Sequence, residues 1–348
     1  MSEKNYQPLK VSQIIDETHD SRSFVFDIPE DQKDQFNYEA GQFLTFRVPY
    51  DGMLLTRSYS LASAPSRSEP HKVTVKRVTD GRISNWFNDQ VRVGDTLEVM
   101  PPSGRFTLRD SPNTLVMFGG GSGITPIISI IKTALETTSR SIRLLYANRD
   151  TRSVIFASEL EDLIRAHPER LSVIHSLDDQ DGFLTPEKVR NFVGGVEGTD
   201  FYMCGPAPFM DVIETTIQQL GAEREQIFLE RFVSPKDPVA ESSEEGEAET
   251  VSLTETTITS FVAKWEGTDH EVPYREGMTI LEAANEAGID PPYSCEEGYC
   301  SSCLFQLVKG TVHMKLNDCL SKDDIEHGTR LACQSIPTSA ELVIDWDS

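Results

Sequence analysis

Four cysteines near the C-terminus, Cys295, Cys300, Cys303 and Cys333, follow the spacing C-x4-C-x2-C with 29 residues before the fourth. Thiolates in this pattern are the ligand set of a [2Fe-2S] cluster of the plant type. Such a cluster carries one electron at a time and does no substrate chemistry, so the rest of the chain is expected to hold a source of electrons. Disulfides would need an oxidising compartment, and the opening MSEKNYQPLK shows no apolar stretch of a signal peptide. Zinc also takes four thiolates, but its sites usually pair two short hooks, whereas here three ligands share one loop and the fourth stands apart.

Four further groups of residues could bind nucleotides. The apolar run Thr114 to Phe118 enters Gly119, Gly120, Gly121, Ser122, Gly123, Ile124, Thr125 and Pro126. Glycines there let a backbone approach a pyrophosphate, and a following helix N-terminus favours its charge; a plain tight turn is the competing reading. The pattern G-x-G-x-T-P departs from the G-x-G-x-x-G fingerprint. A second apolar run, DFYMC, opens into Cys204, Gly205 and Pro206. In a parallel sheet, Gly121 and Cys204 would meet at one edge, although the Cys204 thiol itself reads as a small buried group. Upstream, Arg57, Ser58, Tyr59 and Ser60 offer a cation, a ring and hydroxyls, which is what a flavin nucleotide needs. Gly81, Arg82, Ile83, Ser84 and Asn85 form another turn able to hold phosphate.

The elements that must position these groups differ along the chain. From Leu9 to about Arg109, short alternating runs such as SRSFVFDIP, QFLTFRVPY, KVTVKRV and TLEVMPP predict an antiparallel barrel or sandwich. From Asn113 to about Phe232, the strand-like TLVMF, IRLLYAN, LSVIHSL and DFYMC alternate with helical ITPIISIIKTALE, SVIFASELEDLIRAH and APFMDVIETTIQQLG. That alternation predicts a parallel sheet covered by helices. Residues 236–257 are acidic, rich in Ser and Thr and nearly free of large apolar side chains, the composition of a flexible linker, whether hinge or simple tether. Beyond them, ITSFVAKW, TILEAANEAG and ELVIDW frame the cysteine loop in a small α+β unit. The expected division is therefore 1–110, 111–235, the linker 236–257, and 258–348.

A net charge of −24 over 348 residues argues against nucleic acid as a partner. It suits brief docking on a basic patch of another protein, and it suits solubility equally well. The most apolar stretch, Thr114 to Ile131, is interrupted by GGGSG and a proline and is not expected to span a membrane. The default expectation is a cytoplasmic chain, and no heptad run argues against a monomer.

R-S-Y-S, G-R-I-S-N, G-S-G-I-T-P and C-G-P, in this order, resemble the ferredoxin-NADP reductase superfamily. The C-terminal cysteine loop narrows the resemblance to reductase components of multicomponent oxygenases. TVKRVTDGRISNW, YANRDTRSVIF and NDCLSKDDIEHGTRLACQS are most similar to the family that serves 3-ketosteroid 9α-hydroxylases, with phenylacetyl-CoA oxygenase reductases next. The resemblance spans Leu9 to Trp346 and implies an antiparallel β-barrel flavin domain, an α/β nucleotide domain and a β-grasp ferredoxin domain. It implies that Arg57 and Ser58 contact FAD, with Arg57 neutralising its diphosphate, Tyr59 packing on the isoalloxazine and Ser60 reaching its N5. Val75 and Lys76 would flank the FAD, and Gly81, Arg82, Ile83 and Ser84 would cradle its pyrophosphate. Gly121, Gly123, Thr125 and Pro126 would bind the dinucleotide, Cys204, Gly205 and Pro206 would lie beside the nicotinamide, and Phe232 would cover the flavin. Cys319 matches no functional position.

The implied activity is transfer of electrons from NADH through FAD and the [2Fe-2S] cluster to a terminal oxygenase, expected to be of the Rieske type. No general acid or base is needed for the hydride step, so no catalytic dyad is expected. NADH is expected in preference to NADPH on the resemblance alone, because Asp150 would repel a 2′-phosphate while Arg149 and Arg152 could attract one. Reductases for diiron or membrane-bound hydroxylases, and a redox sensor that does not turn over, are the alternatives.

Overall fold

Alternation of apolar and polar residues gives a strand one buried face, and six strands of this kind begin the chain. They are β1 (Gln7–Thr18), β2 (Ser21–Asp27), β3 (Phe43–Tyr50), β4 (Met53–Ser60), β5 (His71–Lys76) and β6 (Thr96–Ser103), with helix α1 (Arg82–Gln90) before the last. The computed structural model describes residues 6–232 and 258–348, apart from 297, 299, 318 and 321. The expected linker 236–257 lies outside the described residues. The described chain forms two units that divide after Phe232.

The first six strands pair antiparallel in the order β4-β3-β6-β1-β2-β5. An antiparallel bridge between Leu61 and Val73 links the two outer strands, so the sheet curls into a barrel. Its interior is filled by Phe24, Phe26, Phe46, Val75 and Phe87. Edge-to-face ring contacts of 5.2 Å, from Phe24 to Phe87 and from Phe46 to Phe87, tie α1 into the core.

The second half of this unit is a parallel sheet. Its strands are β7 (Thr114–Gly120), β8 (Ile142–Asn148), β9 (Leu171–Leu177), β10 (Thr199–Gly205) and β11 (Ile227–Arg231), in the order β11-β10-β7-β8-β9. Helices α2 (Ile124–Thr137), α3 (Ala157–Ala166), α4 (Asp178–Asp181), α5 (Pro186–Val193) and α6 (Ala207–Gln219) connect them. The fifth strand, IFLER, is not among the expected ones. Its residues are all half-buried, so neither alternation nor a solid apolar run marks it. The expected helix SVIFASELEDLIRAH begins only at Ala157; Val154, Ile155 and Phe156 are buried instead, with Phe156 at φ +60°.

Helix α2 packs on the barrel as well as on its own sheet. Its Ser129 hydroxyl donates to the Ser63 carbonyl (2.6 Å), and its Lys132, with no exposed side-chain surface, pairs with Glu69 of the barrel (2.7 Å) and Glu159 of α3 (2.8 Å). Lys72 on β5 reaches the same Glu159 at 3.2 Å. An ammonium this deep is tolerable only with such partners.

The second unit is a mixed sheet of β12 (Ser260–Trp265), β13 (Thr268–Pro273), β14 (Leu304–Lys309), β16 (Thr329–Leu331) and β18 (Val343–Asp345). The order is β13-β12-β18-β14-β16, and β15 (Val312–Met314) pairs separately with β17 (Ser335–Pro337). Parallel pairing of β12 with β18 closes the sheet around helix α7 (Ile280–Glu286), giving the expected β-grasp architecture; a short α8 (Lys322–Glu326) precedes β16. Helix α7 starts with a capping box, in which Thr279 accepts from the Glu282 amide and donates its own N-H to the Glu282 carboxylate.

Candidate functional site

The parallel sheet reverses direction between β7 and β10. From β7 the chain winds outward to β8 and β9, then returns to lay β10 on the other side of β7. Ligands of such sheets bind outside the carboxyl ends of the strands at this reversal. Here those ends are the Gly119–Gly123 and Cys204–Pro206 turns. Cys204 pairs with Gly119 in register, and a Cβ on Gly123 would stand 2.1 Å from the Cys204 carbonyl oxygen. Only glycine allows that approach. Gly121 adopts φ +54°, and its carbonyl accepts from the Tyr146 hydroxyl at 3.1 Å. Thr125 donates to the Ser122 carbonyl at 3.0 Å, and Pro126 is buried in the first turn of α2. Gly205 leads into α6 through Pro206; a Cβ on Gly205 would press on Phe209 at 2.8 Å. Burial, together with the nearby Glu230 carboxylate, holds the Cys204 thiol well above its ordinary pKa, so the thiol stays neutral as a packing group.

The barrel delivers its residues to the same edge. Ser60, the last residue of β4, donates to the Glu230 carboxylate at 3.2 Å. Glu230 lies on β11 opposite Cys204 in strand register, so R-S-Y-S and C-G-P are joined through one carboxylate. Sequence reasoning misses Glu230 because it misses the strand that carries it. Its neighbour in LERF, Phe232, is 37% exposed at the last described position of this unit. Tyr59, half-buried, leans on Phe46 and Phe87, and burial raises its hydroxyl pKa. Ser58 shares a hydrogen bond with Thr45 (2.8 Å), and an Arg57 N-H donates to the Thr56 carbonyl (2.6 Å). Val75 is fully buried, and its carbonyl accepts from Asn88 of α1.

Lys76 ends β5 with its ammonium facing the glycine turn, 3.4 Å from where a Gly121 Cβ would sit. Burial lowers its pKa, Asp20 and Asp150 raise it, and Arg149 lowers it further. Gly81 and Arg82 open α1, where Ile83 is buried and the Ser84 hydroxyl accepts from the Val78 amide at 3.2 Å. Thus the helix turn at Gly81 to Ser84 and the strand ends at Arg57 to Ser60 and at Val75 and Lys76 belong to one barrel, while Gly121 and Cys204 sit across from them.

In the second unit the four cysteines occupy two pairs. The Cys295 amide donates to the Cys300 sulfur at 3.4 Å, and Cys303 Sγ lies 3.3 Å from Cys333 Sγ. Hydrogen bonds from Cys295 draw the Cys300 thiol down to about 6 against its burial, with Ser302 adding to the effect. The bond between Cys303 and Cys333 raises the first thiol and lowers the second. Two thiolates about 2.3 Å from one metal lie roughly 3.7 Å apart, which the Cys303–Cys333 pair nearly matches. Among the described residues no three His, Cys, Asp or Glu side chains gather around a single point. These contacts join Cys295 to Cys300 and Cys303 to Cys333, the two-by-two arrangement in which two irons would each take two thiolates. Gly298, at φ +80°, and Gln334, whose amide donates to the Glu296 carbonyl (2.9 Å), hold the loop. Cys319 is buried beside it, its Sγ donating to the Gly298 carbonyl at 3.4 Å, and burial pushes its thiol up to about 12.

Comparison with known proteins defines the class. Residues 8–108 match the oxidoreductase FAD-binding domain, 117–215 the oxidoreductase NAD-binding domain, and 263–338 the 2Fe-2S iron-sulfur cluster binding domain. The chain is therefore an NAD(P)H-dependent oxidoreductase that uses FAD and a [2Fe-2S] cluster. Over 345 residues it is 40% identical to the 3-ketosteroid-9-alpha-monooxygenase ferredoxin reductase component of Rhodococcus rhodochrous, covering 97% of this chain and 96% of that one. It is 32% identical to one polypeptide of the 1,2-phenylacetyl-CoA epoxidase from Escherichia coli strain K12, covering 99% and 98%. The solved phthalate dioxygenase reductase superposes with a TM-score of 0.61 at 27% identity, covering 98% of both chains. The chain belongs to the family of ferredoxin-reductase components of oxygenase systems, and its electrons pass from a nicotinamide nucleotide through FAD and [2Fe-2S] to an oxygenase.

Proposed function

We propose that this chain reduces a Rieske-type oxygenase that hydroxylates a 3-ketosteroid at the 9α position, drawing on NADH in preference to NADPH. The likeness to the Rhodococcus reductase component along nearly the whole chain supports the substrate class. The observation that carries the redox reading is the Ser60–Glu230 hydrogen bond, which joins the R-S-Y-S strand end to the C-G-P strand end.

In this reading Arg57 to Ser60, Val75 and Lys76, and Gly81 to Ser84 hold FAD. Gly121, Gly123, Thr125 and Pro126 hold the dinucleotide, and Cys204 to Pro206 lie beside its nicotinamide, with Phe232 covering the flavin. Cys295, Cys300, Cys303 and Cys333 hold the cluster. Bound FAD would accept a hydride and release its electrons singly, as flavins do. The protein's own residues position the partners and exclude water; Ser60 and Glu230 place a hydroxyl and a carboxylate where the two nucleotides meet.

The unit division after Phe232, and the separate flavin and nucleotide sheets within the first unit, support domains of 1–110, 111–235 and 258–348. Four cysteines committed to a cluster, with Cys204 and Cys319 buried as thiols, are in keeping with a reducing cytoplasm, and we infer a monomer. No helix of the described residues is long and apolar enough to cross a membrane.

Anaerobic titration with NADH, followed by visible absorbance and low-temperature EPR, tests the reading. Flavin bleaching together with the signal of a reduced [2Fe-2S] centre is expected. Reduction by NADPH alone would overturn the nucleotide assignment. A 3-ketosteroid oxygenase left unreduced by this chain, while another oxygenase is reduced, would overturn the partner.

A further inference from the structure

The second strand of the nucleotide sheet, β8, ends at Asn148, and the residues beyond it form a rim beside the glycine turn. In dinucleotide-binding sheets this strand end meets the adenosine ribose, where a carboxylate accepts from the 2′-hydroxyl and a nearby arginine accommodates a 2′-phosphate. This rim carries both kinds of side chain, Arg149, Asp150 and Arg152, so its sequence alone favours neither nucleotide. What decides between them is how the charges are paired.

Asp150 is turned inward. Its Oδ1 accepts from the Ser153 amide and hydroxyl, both at 2.9 Å, capping the turn that follows. Those hydrogen bonds, with smaller contributions from Arg152 and Arg149, hold its carboxyl below its ordinary pKa. Arg152, 85% exposed, comes within 3.9 Å of the other Asp150 oxygen. Arg149 is engaged from outside its own domain. Its Nη2 donates at 2.6 Å to Oδ2 of Asp20, a residue of the tight turn between β1 and β2 of the barrel.

Asp20 is built to stay in place. Only 14% of its side chain is exposed, its Oδ1 accepts from the hydroxyls of Thr18 (2.8 Å) and Ser21 (3.2 Å), and its backbone carbonyl accepts from the Arg77 amide (2.8 Å). The far side of the same neighbourhood is Lys76, whose ammonium faces Gly121 and feels Asp20, Arg149 and Asp150 together. The Asp20–Arg149 pair is thus at the nucleotide rim and anchored on the barrel side.

We propose that Asp20 is a specificity-determining residue: by engaging the Arg149 guanidinium from the barrel, it withholds the cation that a 2′-phosphate would need and so selects NADH over NADPH. The proposal rests on the NADH reading above and names the residue that produces it. A 2′-phosphate approaching this rim meets Arg149 already neutralised and the Asp20 and Asp150 carboxylates beside it. NADH, with a hydroxyl there, loses nothing.

The test uses the holoenzyme with ferricyanide as acceptor. It compares kcat/KM for NADH and NADPH, and inhibition by 2′,5′-ADP and 5′-AMP, in the native chain, Asp20→Asn, Arg149→Gln and the double variant. Asp20→Asn is expected to tighten 2′,5′-ADP roughly 1.5- to fivefold, the worth of one exposed charge pair, and to raise the NADPH/NADH ratio alike while 5′-AMP is unchanged. The double variant should lose the gain. Arg149→Gln alone, which removes the guanidinium that Asp20 engages, should bring no gain in 2′,5′-ADP binding. Native preference for NADH with no response to Asp20→Asn would overturn the proposal and leave the NADH reading standing, as would a gain that survives in the double variant. Weaker 2′,5′-ADP binding in Arg149→Gln that persists in the double variant, where no Asp20 carboxylate is left uncompensated, would show Arg149 already serving phosphate and would also overturn it. Native preference for NADPH would overturn both.

Discussion

For single residues, the site depends on atoms that are missing as much as on those present. Gly123 touches the Cys204 carbonyl so closely that any Cβ would displace one strand end from the other. Gly123→Ala is expected to cost about 1–3 kcal/mol of overpacking, felt as a rise in KM for NADH with the FAD and cluster spectra intact. Steady-state kinetics with ferricyanide check it, and an unchanged KM would mean the dinucleotide does not lie over this turn. Arg57 works the other way, by what it adds. If Arg57 neutralises the FAD diphosphate as proposed, Arg57→Ala should weaken FAD retention roughly 10- to 100-fold, measured by fluorescence of released flavin on dilution. The residue patterns R-S-Y-S, G-R-I-S-N and C-G-P are legible because each occurs at the end of a strand or the start of a helix, where sequence order alone places it. Glu230 is not legible, since its importance comes from facing Ser60 across 170 positions of chain.

Among the packed elements, charge is buried between the barrel and the helices of the nucleotide sheet. Lys132 and Lys72 draw the Glu159 carboxyl below its ordinary pKa against its burial. Such a group contributes stability above its unfolded value near 4.5 that is lost as pH falls through the lower folded value. Glu17 on β1 does the opposite. Burial raises its pKa, against the Ser23 hydroxyl that donates to it at 2.5 Å, so its contribution is present below the unfolded value and is lost as pH rises through the folded one. Glu17→Gln keeps the acceptor for Ser23 and removes the titration. It is expected to raise Tm by roughly 2–4 °C at pH 8, about what one kcal/mol shifts in a domain of this size, and to leave Tm at pH 4 nearly unchanged. Thermal melts at the two pH values decide it, and an equal effect at both would assign the change to packing. This network is hidden in the sequence because Lys132 reads as an ordinary polar position on an amphipathic helix.

Along the entire chain, three matched domains follow one another, the flavin and nucleotide sheets in the first unit and the cluster fold in the second. If electron transfer is modular, disabling the last step should spare the first. Cys300→Ser is expected to remove cluster absorbance and the EPR signal while NADH-dependent reduction of ferricyanide, which accepts electrons at the flavin, continues. Loss of both in a chain that still melts cooperatively would refute the modular path. The net charge of −24 acts on the molecule as a whole, on association with a partner rather than on the fold.

Chemistry that depends on local order is written in the amino-acid sequence. Cysteines spaced for a cluster loop, glycines at a strand-to-helix turn and alternating apolar residues along strands all act within a few positions of one another. The barrel, the parallel sheet and the α7 helix can be read for the same reason. What depends on distant segments meeting is settled by folding: β11 completing the parallel sheet, Glu230 between Ser60 and Cys204, Cys333 brought beside Cys303, and Asp20 of the barrel engaging Arg149. Hydrogen bonds and ion pairs reach only about 3 Å, so their partners become known only when folding brings the segments together.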